Sequence, residues 1–163
     1  MKIALLVIDV QKAYFDADST KSLESAIEYI NAAIELFRAK ALPVICVQHR
    51  DDENNHIPGV EGFDLPESLK ILPSDLHIHK TYGNSFNKTP LLDELKKMGV
   101  DTVLITGFRA EGCVLSTYRG AMDVDLTPIQ LRDAIAGPIK KNNHFVESIS
   151  SIISYWALVK MLE

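Results

Sequence analysis

Short runs of aliphatic residues alternate along this chain with longer segments in which apolar residues recur at helical spacing. The runs at 3–8, 44–48 and 103–105 are too short for independent helices, and their composition predicts strands covered on both faces. The segment 19–40 predicts an amphipathic helix, because its apolar residues fall three or four positions apart, at Leu23, Ala26, Ile27, Ile30, Ala33, Ile34 and Phe37. This alternation predicts an α/β fold with a mostly parallel central sheet.

The middle of the chain continues the alternation with weaker signals. Residues 76–79 alternate apolar and polar side chains as a strand does. A helix is expected over 89–99, since a Thr-Pro pair opens this segment and a glycine closes it. Residues 126–131 predict another strand, and Pro128 places it at or near an edge of the sheet because proline lacks a ladder donor.

The last part of the chain predicts one helix and one strand. Asn142 and Asn143 are suitable caps for the helix. Four apolar residues are expected to face the core from it, namely Phe145, Ile149, Ile152 and Ile153. Residues 155–159 either continue this helix or form a final short strand, and we predict the strand.

Residues 101–123 predict a buried strand that breaks sharply into a helix, with Cys113 at the junction. Gly107 permits the turn, and helical spacing follows at Val114, Leu115, Tyr118, Ala121 and Met122. Cys113 is therefore expected in the first helical turn, where unpaired N–H groups and the helix dipole stabilise a nucleophilic thiolate. For an isolated cysteine, a role as a small buried hydrophobic residue is the alternative. Partner groups must decide between the two.

Two charged residues follow other predicted strands. Asp9 ends the run 3–8, and Lys80 follows the strand at 76–79. Each has a simpler interpretation, Asp9 as a turn or cap residue and Lys80 as a solvated lysine. However, parallel strands place their carboxyl ends at one edge of a sheet, where open α/β folds bind ligands. Asp9, Lys80 and Cys113 are therefore expected to meet at that edge.

The segment 50–73 has no sustained period and contains several prolines and glycines, so it predicts a functional loop that walls or covers the site. Four of the residues in or beside it suggest a metal site, namely His49, Asp51, Asp52 and His56. A solvated polar loop is the alternative that we favour. Cys46 lies within an aliphatic run and is expected to be a core residue without a chemical role.

Composition narrows the class of partner. The 163 residues carry a net charge of −5 and no basic run, which argues against nucleic acid and anionic membranes and favours a small-molecule substrate. No segment has enough apolar residues to span a bilayer, and the N-terminus lacks a signal-peptide cleavage pattern. Two cysteines without metal-site spacing fit a reducing compartment. We expect one domain over 1–163 and a cytoplasmic location.

Three segments together resemble the isochorismatase-like cysteine hydrolases, which include nicotinamidases and N-carbamoylsarcosine amidases. They are LLVIDVQ, HKTYGNSF and TGFRAEGCVLSTYRGAMD, in that order. The resemblance implies a three-layer α/β/α, Rossmann-like fold and a catalytic triad of Asp9, Lys80 and Cys113. In the implied mechanism Asp9 takes the thiol proton, Lys80 stabilises the charged pair, and Cys113 forms a covalent intermediate. The family habit also implies a homo-oligomer.

The resemblance further implies an oxyanion site formed by the backbone N–H groups of Arg109 and Cys113, with a cis peptide between Phe108 and Arg109. The loops at the same sheet edge supply the expected substrate pocket, which consists of Gln11, Tyr14, Phe15, Tyr82, Phe86 and Arg109.

The chain also departs from the family pattern. Arg109 and Ala110 stand where a small or aliphatic residue and a threonine are common, and the loop HRDDENNH lacks the Asp-x-His pair with which nicotinamidases bind a metal. We therefore expect no cofactor and a metal-independent hydrolase that cleaves a C–N bond of a small amide or carbamoyl compound. A vinyl ether hydrolase and a catalytically silent binding module of the same fold are the alternatives.

Arg109 itself has two interpretations. Its guanidinium can bind a carboxylate of an anionic substrate. Alternatively it turns outward to solvent or pairs with Glu111 or Asp133, which we favour slightly.

Overall fold

A single sheet of six parallel strands organises the computed structural model, which describes residues 1–163. The strands are β1 (Ile3–Ile8), β2 (Val44–His49), β3 (Leu76–Lys80), β4 (Thr102–Phe108), β5 (Thr127–Ala136) and β6 (Ile152–Ile153). Their order across the sheet is β3-β2-β1-β4-β5-β6, and all pairings are parallel. The winding direction reverses between β1 and β4, so a crevice opens there at the carboxyl ends of the strands.

Five helices cover the sheet. They are α1 (Thr20–Ala39), α2 (Leu91–Lys97), α3 (Leu115–Asp123), α4 (Lys140–Ser148) and α5 (Tyr155–Met161). Successive residues of β1 alternate between two cores: Leu5 and Val7 pack with α1 and α5, whereas Leu6 and Ile8 pack with α2, α3 and α4. The fold is therefore a three-layer α/β/α sandwich, as expected. None of the helices combines the length and hydropathy that a membrane span needs.

Most of the predicted elements are present with small shifts in their bounds. The predicted helix at 19–40 is α1, and its seven predicted core residues are all buried. The strand carrying Pro128 extends to Ala136 and lies next to the short edge strand β6. Pro128 lies outside the two residues of β5 that pair with β6, so its missing N–H leaves that ladder intact.

The predictions for the end of the chain were wrong in two respects. Helix α4 starts at Lys140, before the expected Asn caps. Phe145 in this helix and Ile149 just after its end are exposed, while Val146 is its buried residue. Ile152 and Ile153 form strand β6 instead of continuing that helix.

The second error concerns residues 155–159, which belong to helix α5 rather than to a strand. Ser154 caps this helix, since its side chain accepts a hydrogen bond from Ala157 N. Leu158 is buried and Trp156 is 77% exposed, so one face of the helix packs inward.

Close backbone contact between β1 and β4 shapes the crevice. Gly107 has a φ of +119°, and a Cβ placed on it would lie 2.0 Å from Ile8 O. Only glycine fits that position. Asp9, the residue after Ile8, has a φ of 52°, a left-handed conformation that is uncommon for a residue with a side chain. This turn takes the chain out of β1 at the point where the crevice opens.

Candidate active site

The structure brings Asp9, Lys80 and Cys113 together at the carboxyl edge of the sheet. Lys80 Nζ donates to Asp9 Oδ2 over 2.8 Å, and the two side chains are 0% and 2% exposed. The sulfur of Cys113 lies within 4.8 Å of a carboxylate oxygen of Asp9. The expected convergence of the three residues is therefore present, with one residue on each side of the β1–β4 crevice and a lysine from β3.

Burial dominates the protonation of this group. It raises the pKa of Asp9 above its usual range, against the opposing effect of the Lys80 ammonium group. Burial and the negative charge of Asp9 raise the pKa of the Cys113 thiol to about 12, again opposed by Lys80. Cys113 is thus a thiol at neutral pH, which corrects the expectation of a thiolate stabilised by a helix N-terminus.

A wide, irregular turn carries Cys113. The carbonyl of Arg109 accepts hydrogen bonds from Gly112 N at 3.0 Å and from Val114 N at 3.2 Å, and Gly112 has a non-helical ψ of −110°. Regular helix α3 starts only at Leu115. Cys113 therefore precedes the helix and does not lie in its first turn, so the dipole contributes less than predicted.

The expected oxyanion elements lie beside this turn. The peptide bond between Phe108 and Arg109 is cis. The N–H of Arg109 makes no hydrogen bond to another protein group. It is therefore an available donor close to the turn that carries Cys113.

A cavity of about 320 Å³ opens onto Asp9 and Cys113. The ring of Tyr14 stacks on Phe108 with centroids 4.9 Å apart. The lining consists of Asp9, Tyr14, Asp16, Ser19, His49, Asp51, Phe108, Arg109, Gly112, Cys113 and Pro138. Acidic, basic and aromatic groups thus surround a space suited to a small polar molecule.

Four residues expected in the pocket lie elsewhere. Phe15 packs against the core on the α1 side, and Phe86 packs against the core on the opposite face of the sheet. Tyr82 is on the surface, where its hydroxyl accepts a hydrogen bond from Lys88. Gln11 is fully buried, and backbone groups engage its amide. Tyr14 and Arg109 are the members of the expected set that line the cavity.

Gln11 instead holds His49, the last residue of β2. Its side chain accepts from His49 N at 2.7 Å and donates to His49 O at 3.0 Å. On the other side, Lys80 Nζ lies 3.0 Å from His49 Nδ1. Burial and the charge of Lys80 lower the pKa of His49, so the imidazole is neutral at neutral pH.

Arg109 adopts the arrangement that we favoured from the sequence. Its Nε donates to Glu111 Oε1 at 2.8 Å, and Asn142 donates to the same oxygen at 3.1 Å. The side chain of Arg109 is 49% exposed, and its two terminal nitrogens make no hydrogen bond to protein. The guanidinium is therefore oriented by Glu111 at the mouth of the cavity and retains free donors.

The residues suggested for a metal site do not form one cluster. Asp51 accepts hydrogen bonds from Asn54, and Asp52 pairs with Arg50. A different set, Asp9, His49 and Cys113, offers three ligand atoms within 4.8 Å of one another. The ammonium group of Lys80 lies against two of these three residues, so a positive charge already occupies their surroundings.

Four lining residues had no sequence signal that singled them out. They are Gly112, Pro138, and the pair Asp16 and Ser19, which precedes α1 and in which Asp16 Oδ1 accepts from Ser19 N at 2.8 Å. His49 had a signal, because it ends β2 in the way that Lys80 ends β3. The strand-end argument that selected Asp9 and Lys80 applies to His49 equally.

Comparisons with known proteins agree with this geometry. The isochorismatase domain family matches residues 3–148. An uncharacterized isochorismatase family protein, YrdC of Bacillus subtilis (strain 168), is 35% identical over 138 residues, which cover 83% of this chain and 74% of that protein. The ureidoacrylate amidohydrolase RutB of Pseudomonas savastanoi pv. phaseolicola is 27% identical over 178 residues, covering 83% of this chain and 71% of RutB.

A solved structure extends the comparison to the fold. N-carbamoylsarcosine amidase from Thermoplasma acidophilum superposes with a TM-score of 0.81 at 24% identity, covering 94% of this chain and 95% of that one. The family match spans most of the sheet and both sides of the crevice. This chain therefore belongs to the isochorismatase family of hydrolases.

Proposed function

We propose that this protein is a cysteine hydrolase that cleaves a C–N bond of a small amide or carbamoyl compound without a metal. The observation that carries the proposal is the meeting of Asp9, Lys80 and Cys113, in which a buried carboxylate lies beside a thiol and a lysine. The names of two similar proteins, a ureidoacrylate amidohydrolase and an N-carbamoylsarcosine amidase, support the bond type.

Each of the three residues has a proposed role in the first half of the reaction. Asp9 Oδ1 is buried and accepts no hydrogen bond, so it has a lone pair free for the thiol proton. The sulfur of Cys113 attacks the carbonyl carbon as this proton moves to Asp9. The N–H of Arg109, which makes no hydrogen bond to protein, is the proposed donor to the resulting oxyanion. Lys80 keeps a positive charge beside the group throughout.

The second half restores the enzyme. The C–N bond breaks, and the leaving nitrogen takes the proton from Asp9, which leaves an acyl or carbamoyl group on Cys113. A water molecule then attacks this thioester, giving its proton to Asp9, and the C–S bond breaks. The sulfur regains the proton from Asp9, so all atoms and protons balance over the cycle.

Lys80 also supports a mechanism without a metal. Its ammonium group touches both Asp9 and His49, and a divalent cation bound between these ligands would lie close to that charge. Moreover, the proposed steps need no Lewis acid, because the N–H of Arg109 and the ammonium group of Lys80 stabilise the developing negative charge.

Intact-protein mass spectrometry on a defined set of compounds tests the proposal. The set comprises N-carbamoylglycine, propylurea, nicotinamide, acetamide and p-nitrophenyl acetate. We expect an adduct on Cys113 with at least one of them, together with release of ammonia, an amine or p-nitrophenol. Cys113→Ala should abolish both, and Cys46→Ala, which removes the buried cysteine of β2, is the matched control.

Turnover that survives in Cys113→Ala would refute the cysteine mechanism. Absence of any adduct in the unmodified protein, with every compound of the set, would favour a silent binding module.

A further inference from the structure

His49 makes specific contacts through both its backbone and its side chain. Gln11, which is itself completely buried, engages both the N–H and the carbonyl of His49. Lys80 Nζ lies 3.0 Å from His49 Nδ1 on the opposite side. His49 is thus held at its backbone by Gln11 and at one ring nitrogen by Lys80, and it lines the cavity.

The contact with Lys80 determines which ring nitrogen carries the proton. A lysine ammonium group is a hydrogen-bond donor only, so Nδ1 of His49 must be the acceptor. The neutral imidazole then carries its proton on Nε2. This nitrogen makes no hydrogen bond to protein and is not sealed from solvent. A ring nitrogen of His49 also lies within 4.8 Å of the Cys113 sulfur.

We propose that His49 contacts the substrate, with its Nε2–H donating to a hydrogen-bond acceptor close to the carbonyl carbon that Cys113 attacks. Gln11 is then the residue that positions it. This inference rests on the proposed cysteine hydrolase function and narrows its substrate class. The substrate carries, in its acyl part, a neutral acceptor such as a ring nitrogen or a second carbonyl oxygen.

The competing explanation is that His49 only supports Lys80. Three substitutions separate the two roles. His49→Phe removes both ring nitrogens, whereas His49→Asn keeps an acceptor near the position of Nδ1 and loses the Nε2 donor. His49→Gln places an amide N–H near the position of Nε2. A supporting role predicts that His49→Asn behaves like the unmodified protein, and substrate contact predicts that it behaves like His49→Phe.

Acylation by four p-nitrophenyl esters measures the contact directly. The probes are the picolinate, nicotinate and isonicotinate esters, which differ from the benzoate ester by one ring nitrogen at three positions. Release of p-nitrophenolate in a single turnover gives the acylation rate, after subtraction of the rate in Cys113→Ala. Dividing each pyridine rate by the benzoate rate, and then by the same ratio for free thiol, leaves the contribution of the protein to acceptor recognition.

We expect the unmodified protein to favour at least one pyridine ester about twofold to tenfold, the range for one neutral hydrogen bond. His49→Phe and His49→Asn should lose this preference, and His49→Gln should regain part of it. Alkylation of Cys113 by iodoacetamide should keep its rate in His49→Asn, which shows that the nucleophile is intact.

No preference in the unmodified protein, or an equal preference in all variants, would overturn the inference. So would a preference that His49→Phe loses and His49→Asn retains, because support of Lys80 would then explain it. If Cys113→Ala releases p-nitrophenolate as fast as the unmodified protein with all four esters, the proposed function is overturned, and the inference with it.

Discussion

Replacing Lys80 by methionine should destabilise the fold strongly, because it leaves the buried carboxylate of Asp9 without a counter-charge. Two unit charges 2.8 Å apart attract by about 6 kcal/mol at an effective dielectric constant of about 20. Desolvation opposes part of this attraction, and breaking a buried pair at one partner costs about 3–5 kcal/mol. We expect Lys80→Met to lose about that much free energy of unfolding at pH 7.5.

The loss should depend on pH in a defined direction. Without Lys80, the largest effect that opposes burial is lost, so the pKa of Asp9 rises further above that of an unfolded aspartate. The folded variant then holds a proton that the unfolded chain has released. Its free energy of unfolding should therefore fall as the pH rises from about 4 toward the folded pKa, relative to the unmodified protein.

Urea denaturation of Lys80→Met at pH 5 and pH 8 measures both effects. Asp9→Asn combined with Lys80→Met removes both charges. The double variant should regain part of the lost free energy of unfolding and should lack the extra pH dependence. Lys97→Met is the matched control, since Lys97 pairs with Glu94 on the surface, and it should change stability little. A loss below about 1 kcal/mol in Lys80→Met, or an equal loss at both pH values, would refute the argument.

Four further outcomes follow from the site. If the free guanidinium donors of Arg109 bind a carboxylate, Arg109→Ala should raise KM for N-carbamoylglycine about tenfold to a hundredfold and leave KM for propylurea unchanged. In steady-state assays, the same KM for N-carbamoylglycine in Arg109→Ala and the unmodified protein would reject that role. Gly107→Ala should cost about 3 kcal/mol or more in urea denaturation, since its Cβ would overlap Ile8 O, and a wild-type midpoint would contradict the packing. Alkylation of Cys113 by iodoacetamide, followed by mass spectrometry in a Cys46→Ala background, should rise about tenfold per pH unit up to about pH 10 without a plateau, because its thiol pKa is about 12; a plateau near pH 8.5 would indicate an ordinary thiol. Incubation with EDTA should leave Cys113-dependent turnover unchanged, and activity restored only by added zinc or iron would show a metal requirement.

The fold was predictable where one pattern had one structural solution. Six consecutive apolar residues in β1 required burial on both faces, which only a central strand provides. The regular spacing of α1 fixed its buried face in the same way. The segment 155–159 was ambiguous, because five residues are too few to distinguish two periods. There the Ser154 cap, together with packing of Leu158, determines the helix.

The candidate site was predictable to the level of strand ends. Asp9 and Lys80 could be identified from the sequence because parallel strands bring their carboxyl ends to one edge of the sheet. The hydrogen bonds between Gln11 and His49 could not be predicted from the sequence, since they join a side chain to backbone groups 38 residues away. The raised pKa of the Cys113 thiol was also hidden, because it depends on burial by the assembled fold rather than on the local turn.

The pairing of β1 with β4 has a consequence for chain synthesis. It joins Ile8 to Gly107, about a hundred residues later, so this contact forms late during elongation. A nascent chain that ends after β3 already carries Asp9 and Lys80, but the cysteine of the site has not been made. The three residues of the candidate site can therefore meet only after β4 and the turn that carries Cys113 have been made and the two halves of the sheet have closed.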